Sequence, residues 1–386
     1  NMWHQGKIRE VVIDDFFPQS SRGYPFARSE SGAVWPLILE KAWAKINGSF
    51  DNIQNGNSGE ALKALTGAPI ELYNHHETQK EQLWRLITNG RAKDFVMCAG
   101  IVDPKGGPPV ERVLDNGLVQ DHGYSVLEAK EVKVSGKTER IMLIRNPQGV
   151  NGWEGKWYYG DPKWSESLRN TMNYRVEDHG LFCMSFNDYY KNFYSTTVCE
   201  IHDDYVHHAE ILEFNSDNFS AVEMSIARET NMTISFSQVR RRLFPNMKSY
   251  SPSWLRMLLV RQDDNEEIKT VYVDGNSFPD DDITITQTPL SPGKYTLVME
   301  ASWSVTGLKQ ASLDVYANQE VTLTAQPGIQ ALDVLISALK SCALLKTVVS
   351  DYSSIKAPEI KKYHSSSSDS KIDYAYIYYQ NTSEKK

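Results

Sequence analysis

The sequence predicts an α+β fold, in which a mixed first half is followed by an antiparallel β-sandwich. Three segments before residue 93 have apolar residues at helical spacing, and strand-like runs with aromatic-rich turns follow them up to residue 194. From residue 210 to residue 325, six β-rich runs recur at nearly regular spacing with turn residues between them. That spacing is typical of a sandwich of about eight strands.

The elements of the first half carry their own start and stop signals. Asn47-Gly48 ends the first predicted helix, and Thr78 with Glu81 forms a predicted capping box that opens the third. A polar, glycine-rich loop separates the first two helices. The predicted elements are a strand over residues 8–18, helices over 34–46, 57–66 and 78–90, and a buried strand over 94–102.

A predicted hairpin begins at His122 and ends at Asn146. Its two β-rich runs are joined by residues 132–137, which contain a glycine turn. Because a hairpin can bring its far ends together, His122 and Asn146 are expected to be neighbours. A cysteine protease needs such a pair, in which the His is the base for a thiolate and the amide oxygen of the Asn fixes the orientation and tautomer of the imidazole.

Several motifs around this hairpin occur in one order. They read HGYS, RNPQG, GWEGKW and EDHGLFCMSFNDYY, preceded by VVIDDFFP and WPLILEKAWAKINGSFDNIQNGNSGEALKALTGAP. In that order they resemble the catalytic domain of calpains over roughly residues 5 to 200. The resemblance implies the second, His/Asn-bearing subdomain of a papain-like cysteine protease, which is mostly antiparallel β with a few helices. It also implies His122 and Asn146 as the catalytic residues.

The nucleophilic Cys of calpains lies in the preceding subdomain, within a Gly-x-Cys-Trp stretch. This sequence contains no such stretch, and its four cysteines, at positions 98, 183, 199 and 342, lack that setting. The resemblance therefore places the Cys-bearing subdomain upstream of this chain and makes it an expected partner.

Two departures from the calpain pattern concern the site. Calpains usually have a Trp after the Asn-Pro pair, where this chain has Gln148. They also tend to hold calcium with carboxylates near the Trp-rich loop, where this chain has Gly152 and Tyr158-Tyr159, and in an acidic turn, where Glu177-Asp178 is retained. Calcium is therefore left open as a cofactor without assigned metal ligands, and solvated turn acids are the other interpretation. No organic cofactor is expected.

The second half also resembles calpains, because Leu290–Tyr295 is similar to the turn-and-strand signature of their C2-like domain. Three predicted domains follow. They are the His/Asn half of a calpain catalytic domain over residues 1–200, a C2-like β-sandwich over 201–327, and a helix with a polar tail over 328–386.

Charged clusters in the predicted sandwich have two interpretations. Three arginines at 240–242 lie in the same domain as acidic runs at 263–267 and 280–282. These patches could bind anionic lipid headgroups, calcium, or each other across the domain boundary, and the first of these predicts weak membrane-lipid contact through the C2-like domain. The alternative is that they are solvated loops without a partner.

Composition restricts the class of protein. The net charge of −8 argues against nucleic-acid binding. The cysteines have no paired or metal-type spacing, which indicates free thiols in a reducing compartment, the cytoplasm. Charged residues interrupt the apolar stretch 329–349, which predicts a packed helix rather than a membrane span. The histidines at 75–76 and 202–208 are interpreted as exposed loop and connector residues rather than as metal ligands.

The leading hypothesis is part of an intracellular, calcium-dependent cysteine endopeptidase of the calpain type, which carries out limited proteolysis of protein substrates. His122 would move protons and Asn146 would hold the imidazole, while the thiolate would come from upstream. The alternative is a calpain-like protein without catalytic activity that acts as an interaction or regulatory module. The absence of the nucleophile, Gln148 and the loss of acids at the calcium positions favour that alternative, and the retention of both His122 and Asn146 speaks against it.

Overall fold

The structure is a computed structural model of the 386-residue chain. It describes residues 1–19, 21, 27, 29, 31–102, 110–150, 152–175, 180–214, 218–243, 252–262, 268–275, 282–303, 310–326, 334, 360–367 and 374–381.

The chain divides into two compact units. The site unit contains residues 53–203 with Met2, and the sandwich unit contains residues 1, 3–52 and 204–386. The predicted domain boundaries at residues 200 and 327 stay predictions.

Five α-helices are present among the described residues, and they are α1 Trp35–Ile46, α2 Ser58–Thr66, α3 Lys80–Ala92, α4 Glu166–Thr171 and α5 Phe186–Asn192. The strands are β1 Met2–His4, β2 Lys7–Arg9, β3 Ile70–Asn74, β4 Val96–Ile101, β5 Arg112–Val113, β6 Val119–Gln120, β7 His122–Val134, β8 Lys137–Arg145, β9 Leu181–Ser185, β10 Ser195–Cys199, β11 Val206–Glu213, β12 Phe219–Ile226, β13 Thr230–Gln238, β14 Trp254–Gln262, β15 Ile268–Gly275, β16 Asp282–Leu290, β17 Gly293–Ser302, β18 Gln310–Ala317, β19 Val321–Gln326, β20 Ile360–Ser367 and β21 Tyr374–Asn381.

The three predicted helices are present as α1, α2 and α3, each displaced by at most two residues at either end. Helix α2 begins as the sequence indicates, because the Asn57 side chain accepts a hydrogen bond from the Gly59 N–H. The prediction of a capping box at Thr78 is wrong. Helix α3 has Gln79 at its N-cap without a side-chain bond, and the Glu81 carboxylate pairs with Arg140 across the unit instead of returning to the backbone.

The predicted strand over residues 8–18 is also wrong for most of its length. Only Lys7–Arg9 forms a strand, which pairs with β1, and the following residues have no regular structure. The Lys41 and Lys45 ammonium groups of α1 donate to the carbonyls of Phe16 and Val12. The backbone of this stretch therefore finds side-chain partners on a helix rather than a neighbouring strand.

The site unit is built on a six-stranded antiparallel sheet in the order β3-β10-β4-β7-β8-β9. Helices α3 and α5 contribute Trp84, Ile87 and Phe186 to one apolar cluster, in which Tyr124 and Met142 of the sheet are also buried. A second cluster includes Trp157 and Val132. With both faces covered, β8 has four consecutive buried residues, Ile141 to Ile144.

The sandwich unit contains a four-stranded sheet, β11-β18-β13-β16, and a five-stranded sheet, β15-β14-β17-β12-β19. All of their pairings are antiparallel. One apolar cluster takes side chains from both sheets, such as Phe236 and Val315 from the first and Leu297 and Met299 from the second. The described residues are thus mostly antiparallel sheet with few helices, as predicted.

The histidines near residue 207 do not lie in an exposed connector. His207 and His208 belong to β11, and the His207 Nε2 lies 3.4 Å from the buried Asp314 Oδ1. The run from Val206 pairs along β18, so its backbone is committed to a sheet. Among the described helices, none is both long and apolar enough to cross a bilayer. The predicted packed helix over 329–349 lies outside the described residues, apart from Val334.

His75 is another correction, because its side chain is buried and not exposed. Its Nε2 lies 2.8 Å from the Thr196 Oγ1, which also contacts the Tyr189 hydroxyl at 2.6 Å. The imidazole stacks on the Tyr190 ring with a centroid distance of 5.7 Å. Burial lowers the pKa of His75 to about 4, since desolvation disfavours the charged form.

We expect the site unit to lose stability as the pH falls from 6.5 towards 4, because the unfolded chain then binds a proton that the folded chain excludes from His75. The loss at this position is at most about 3 kcal/mol. His75→Gln keeps a partner for Thr196 and removes the titration. Urea unfolding of both proteins at about pH 7 and about pH 5 should show a smaller pH effect in the variant. The exposed neighbour provides the control, His76→Gln, and an equal pH effect in all three proteins would contradict the assignment.

Candidate active site

The hairpin β7–β8 positions both predicted site residues. Its turn residues Ser135 and Gly136 have φ values of +49° and +79°, which is the two-residue geometry that suits the twist of a hairpin. At the other end, His122 begins β7 and pairs with Ile101 of β4, while β8 ends at Arg145, immediately before Asn146.

A bulge interrupts β7 near Leu127. Val126 pairs with Ile144, but Glu128 pairs with the next residue, Leu143, so one residue of β7 has no partner of its own. Tyr124 and Val126 before the bulge and Ala129 after it belong to the same apolar cluster. The bulge therefore shifts the alternation of β7 by one residue between its two ends.

His122 and Asn146 are in direct contact, as the hairpin predicts. The His122 Nε2 lies 2.9 Å from the Asn146 Oδ1, and Asn146 is fully buried. The orientation of the amide is fixed independently, because its Oδ1 accepts the Gln148 N–H at 3.0 Å and its Nδ2 donates to the Val150 carbonyl. An oxygen therefore faces the imidazole, and the Nε2 must carry a hydrogen to donate to it.

The backbone of Asn146 is held by the adjoining strand segment. The Asn146 N–H donates to the Gly180 carbonyl at 2.9 Å, and the Asn146 carbonyl accepts the Gly149 N–H at 3.0 Å. Gly180 comes just before β9, which pairs with β8. The turn after β8 is therefore fixed both within itself and against the start of β9.

Tyr124 packs against the imidazole, a contact that sequence reasoning missed. The two rings meet edge to face with a centroid distance of 4.9 Å. The Tyr124 hydroxyl accepts the Val119 N–H at 2.7 Å, and burial raises the pKa of Tyr124 to about 12. Tyr124 is thus an uncharged side chain whose ring restricts the rotation of the His122 imidazole. The alternation of β7 carries a signal for it, since His122 and Tyr124 share one face of a strand.

Glu111 is the second contact that the sequence did not predict. Its Oε1 lies 2.8 Å from the His122 Nδ1, the imidazole nitrogen opposite the asparagine. Its Oε2 accepts a hydrogen bond from the Gln148 Nε2 at 2.8 Å. Gln148, at the position where calpains usually have Trp, thus holds a carboxylate against the histidine. No local pattern marks Glu111, which lies eleven residues before His122 in an irregular segment.

The described cysteines are poorly suited to act as nucleophiles. Burial raises the pKa of Cys98 and of Cys183, and it raises the pKa of Cys199 to about 11. A raised pKa disfavours the thiolate, which is the reactive form. Cys342 lies outside the described residues.

The positions that the resemblance connects with calcium lie only partly among the described residues. Within the described part of the chain, no group of three or more His, Cys, Asp or Glu side chains is placed to hold a metal. Asp161, in the Trp-rich loop, is engaged by the backbone N–H groups of Trp157 and Lys163. Glu177-Asp178 lies outside the described residues. The calcium expectation therefore stays a prediction.

An antiparallel sheet that carries a buried asparagine in contact with a histidine is the arrangement expected for the acid–base half of a cysteine protease domain. The family model for calpain family cysteine proteases matches residues 1–200. The chain therefore belongs to the calpain family of cysteine proteases.

Individual relatives agree with this family assignment. The chain is 34% identical to a calpain-2 catalytic subunit of Gallus gallus over 208 residues, which cover 52% of this chain and 29% of that protein. It is 33% identical to calpain-13 of Rattus norvegicus over 201 residues, covering 51% and 30%. A calpain-2 catalytic subunit of Bos taurus is 29% identical over 269 residues, covering 69% and 37%. The chain thus spans only about a third of the length of these relatives.

We expect Gly180→Ala to destabilise the site unit more than Gly136→Ala does. Both glycines have a φ of +79°, so both variants bear the same left-handed backbone strain. A Cβ at Gly180 would lie 2.3 Å from the Asn146 carbonyl oxygen, whereas one at Gly136 would meet nothing within 4 Å. The steric difference should cost about 1–3 kcal/mol more at Gly180. Equal free energies of unfolding in urea for the two variants would contradict this account of the turn.

Proposed function

We propose that this chain is part of an intracellular, cytoplasmic cysteine endopeptidase of the calpain type, which carries out limited proteolysis of proteins. The observation that carries the proposal is the contact between His122 and the oriented amide of Asn146 in a chain of this family. In this proposal His122 is the acid–base residue, Asn146 holds it, and the nucleophilic Cys is supplied from a subdomain upstream of this chain.

In this proposal each imidazole nitrogen has its own task. Because the Nε2 donates to Asn146, the Nδ1 is the nitrogen that the nucleophile would need, and the Glu111 carboxylate would have to leave it first. In the proposed reaction the Nδ1 takes the thiol proton, and the resulting thiolate attacks the scissile carbonyl carbon. The imidazolium then protonates the leaving amine as the C–N bond breaks, which leaves a thioester. Water attacks the thioester after giving a proton to the Nδ1, and the acid leaves as the thiol is restored.

Asn146 and Tyr124 support that chemistry by restricting the imidazole. The buried amide oxygen fixes which nitrogen carries the constant proton, and it stabilises the imidazolium that forms when the thiol is deprotonated. The tyrosine ring supports one side of His122, whose side chain is only 7% exposed. Such preorganisation reduces the cost of orienting the base at each turnover.

The proposed partners are protein substrates and the Cys-bearing subdomain. For the second half we propose a C2-like β-sandwich, supported by its two packed antiparallel sheets and by the similarity of Leu290–Tyr295 to the calpain signature. Weak membrane-lipid contact through this domain is part of the proposal, and nucleic acid is not. The Arg242 guanidinium donates to the Asn52 carbonyl and lies over the Trp43 ring, so this arginine packs within its own unit. The acidic runs at 263–267 and 280–282 lie outside the described residues, apart from the backbone of Asp282.

Calcium dependence belongs to the proposal through the family resemblance alone. Calcium needs six to eight oxygen ligands, several of them charged. We expect calcium to change the tryptophan fluorescence of the chain, because Trp153, Trp157 and Trp164 belong to the Trp-rich loop near which the resemblance places calcium ligands. Titration with calcium and with magnesium as the control measures this. Fluorescence that stays constant up to millimolar calcium would contradict calcium binding by this chain.

The second candidate is a calpain-like interaction or regulatory protein without catalytic activity. One observation favours it, namely that the Glu111 carboxylate occupies the nitrogen of His122 that the thiol would need. In that case the His122–Asn146 contact would be a structural element that closes the hairpin.

The natural polypeptide isolated from its own cells distinguishes the two candidates. Its intact mass and N-terminal sequence should reveal an upstream Cys-Trp segment, and a thiol-directed peptide probe should label that Cys. We expect His122→Ala to reduce the labelling rate by about 10²-fold or more, because general base catalysis typically contributes at least that much. The surface variant His76→Ala is the control. Absence of a Cys-bearing segment, or labelling that does not depend on His122, would favour the interaction module.

A further inference from the structure

We propose that Glu111 is an internal counter-ion that occupies the nucleophile-facing nitrogen of His122, so that a thiol gains this nitrogen only by displacing the carboxylate. The inference rests on the proposed function for its catalytic consequence, but the contact itself can be tested on this chain alone.

Four residues form a closed hydrogen-bonded network at the end of the hairpin. Asn146 accepts from His122, His122 contacts Glu111, and Glu111 accepts from the Gln148 side chain. The Gln148 backbone N–H returns to the Asn146 Oδ1 and closes the network. Gln148 therefore holds the acceptors on both sides of the imidazole, one with its main chain and the other with its side chain.

The donors and acceptors in this network determine which form of His122 fits it. The Asn146 Oδ1 faces the Nε2, and a carboxylate oxygen faces the Nδ1. Both groups are acceptors, so only an imidazole with hydrogens on both nitrogens satisfies both contacts when Glu111 is ionised. The doubly protonated ring and the carboxylate then form an ion pair with an N–O distance of 2.8 Å.

The position of Glu111 is fixed by its neighbours in sequence. The Val110 N–H donates to the Asp121 Oδ2 at 3.2 Å, and Arg112 pairs with Gln120 in the β5–β6 ladder. The carboxylate is therefore presented to His122 by a backbone that is anchored on both sides. Because it belongs to the same chain, it meets the imidazole at a high effective concentration.

Other ionisable groups near the imidazole do not replace Glu111. Asp121 directs its Oδ2 to the Val110 N–H and to the Gln120 side chain. Tyr124 packs against the ring, but its hydroxyl faces Val119, and the raised pKa keeps it neutral. Among the described contacts of His122, the Glu111 carboxylate is thus the acidic group that lies against the Nδ1.

The carboxylate competes with the thiolate of the proposed reaction. In the resting state of a cysteine protease the imidazolium pairs with the thiolate through the same nitrogen. Both anions accept one N–H, so the carboxylate must move before the thiolate can occupy its place. Glu111 and Gln148 would therefore lower the reactivity of an assembled enzyme until substrate or the Cys-bearing subdomain displaces Glu111.

The experiment uses the 386-residue chain labelled with ¹⁵N in its histidines, with the His122 signals assigned by their loss in His122→Gln. Long-range ¹H–¹⁵N spectra at about pH 7 report how many ring nitrogens carry hydrogen. We expect Glu111→Gln to remove the signals of a hydrogen on the His122 Nδ1, because the carboxylate that accepts it is lost. Glu111→Asp should retain part of these signals, and Gln148→Leu should weaken them less than Glu111→Gln does.

The matched control is Glu77→Gln, which removes the carboxylate from the exposed His76–Glu77 pair, with an N–O distance of 3.9 Å. It should leave the His122 spectrum unchanged. Identical His122 spectra in the wild-type chain and in Glu111→Gln would overturn the inference, whatever the catalytic activity. Glu111 is half exposed, so its variants should fold, and circular dichroism checks this.

The catalytic consequence is tested separately, in the natural polypeptide if it carries the upstream Cys. There, Glu111→Gln should raise the rate of thiol labelling by roughly tenfold, and a lower rate would overturn the competition. If the spectra show the ion pair but the natural polypeptide has no reactive Cys, the proposed function fails while the assignment of Glu111 stands.

Discussion

Asn146 is the residue on which the geometry of the site depends. Its backbone N–H donates to the Gly180 carbonyl. The oxygen of its buried side-chain amide accepts from Gln148 and His122, and the amide nitrogen donates to the Val150 carbonyl. A buried polar group is costly to leave unpaired, so each of these partners restricts the others. The pairing of β8 with β9 brings Gly180 next to Asn146, and the turn after β8 provides Gln148 and Val150. The orientation of the histidine is therefore a result of how the sheet is connected.

The sequence predicts the parts of this site that depend on local patterns. His122 and Asn146 lie at the two ends of one hairpin, so their proximity follows from the predicted strands, while the bulge near Leu127, which the sequence did not predict, sets the register at their end. Glu111 follows from no such pattern, because it reaches His122 from an irregular segment that is fixed by a side-chain bond to Asp121. Its role depends on tertiary placement, which periodicity does not encode.

The wrong predictions for His75 and His207 have the same explanation, because both were expected to be exposed. His75 follows a strand and is polar, which suggests exposure, yet Thr196 and the rings of Tyr189 and Tyr190 surround it. His207 looks like part of a charged connector, but it pairs with the buried Asp314 from a neighbouring strand. In both cases a partner far away in sequence offsets the cost of burial. Helices with apolar faces, by contrast, need no such partner to be predicted.

The bulge at Leu127 limits how this hairpin can change in evolution. Before the bulge, the even-numbered residues Tyr124 and Val126 lie in the apolar cluster, and after it the odd-numbered residue Ala129 does. An insertion or deletion in the turn would only lengthen or shorten the exposed end of the hairpin. Loss of a single residue near Leu127 would turn the side chains at the start of β7 to the opposite face of the sheet. The imidazole of His122 would then point away from Asn146. Related chains that keep the His–Asn contact should therefore vary in hairpin length but conserve the parity of residues between the bulge and the histidine.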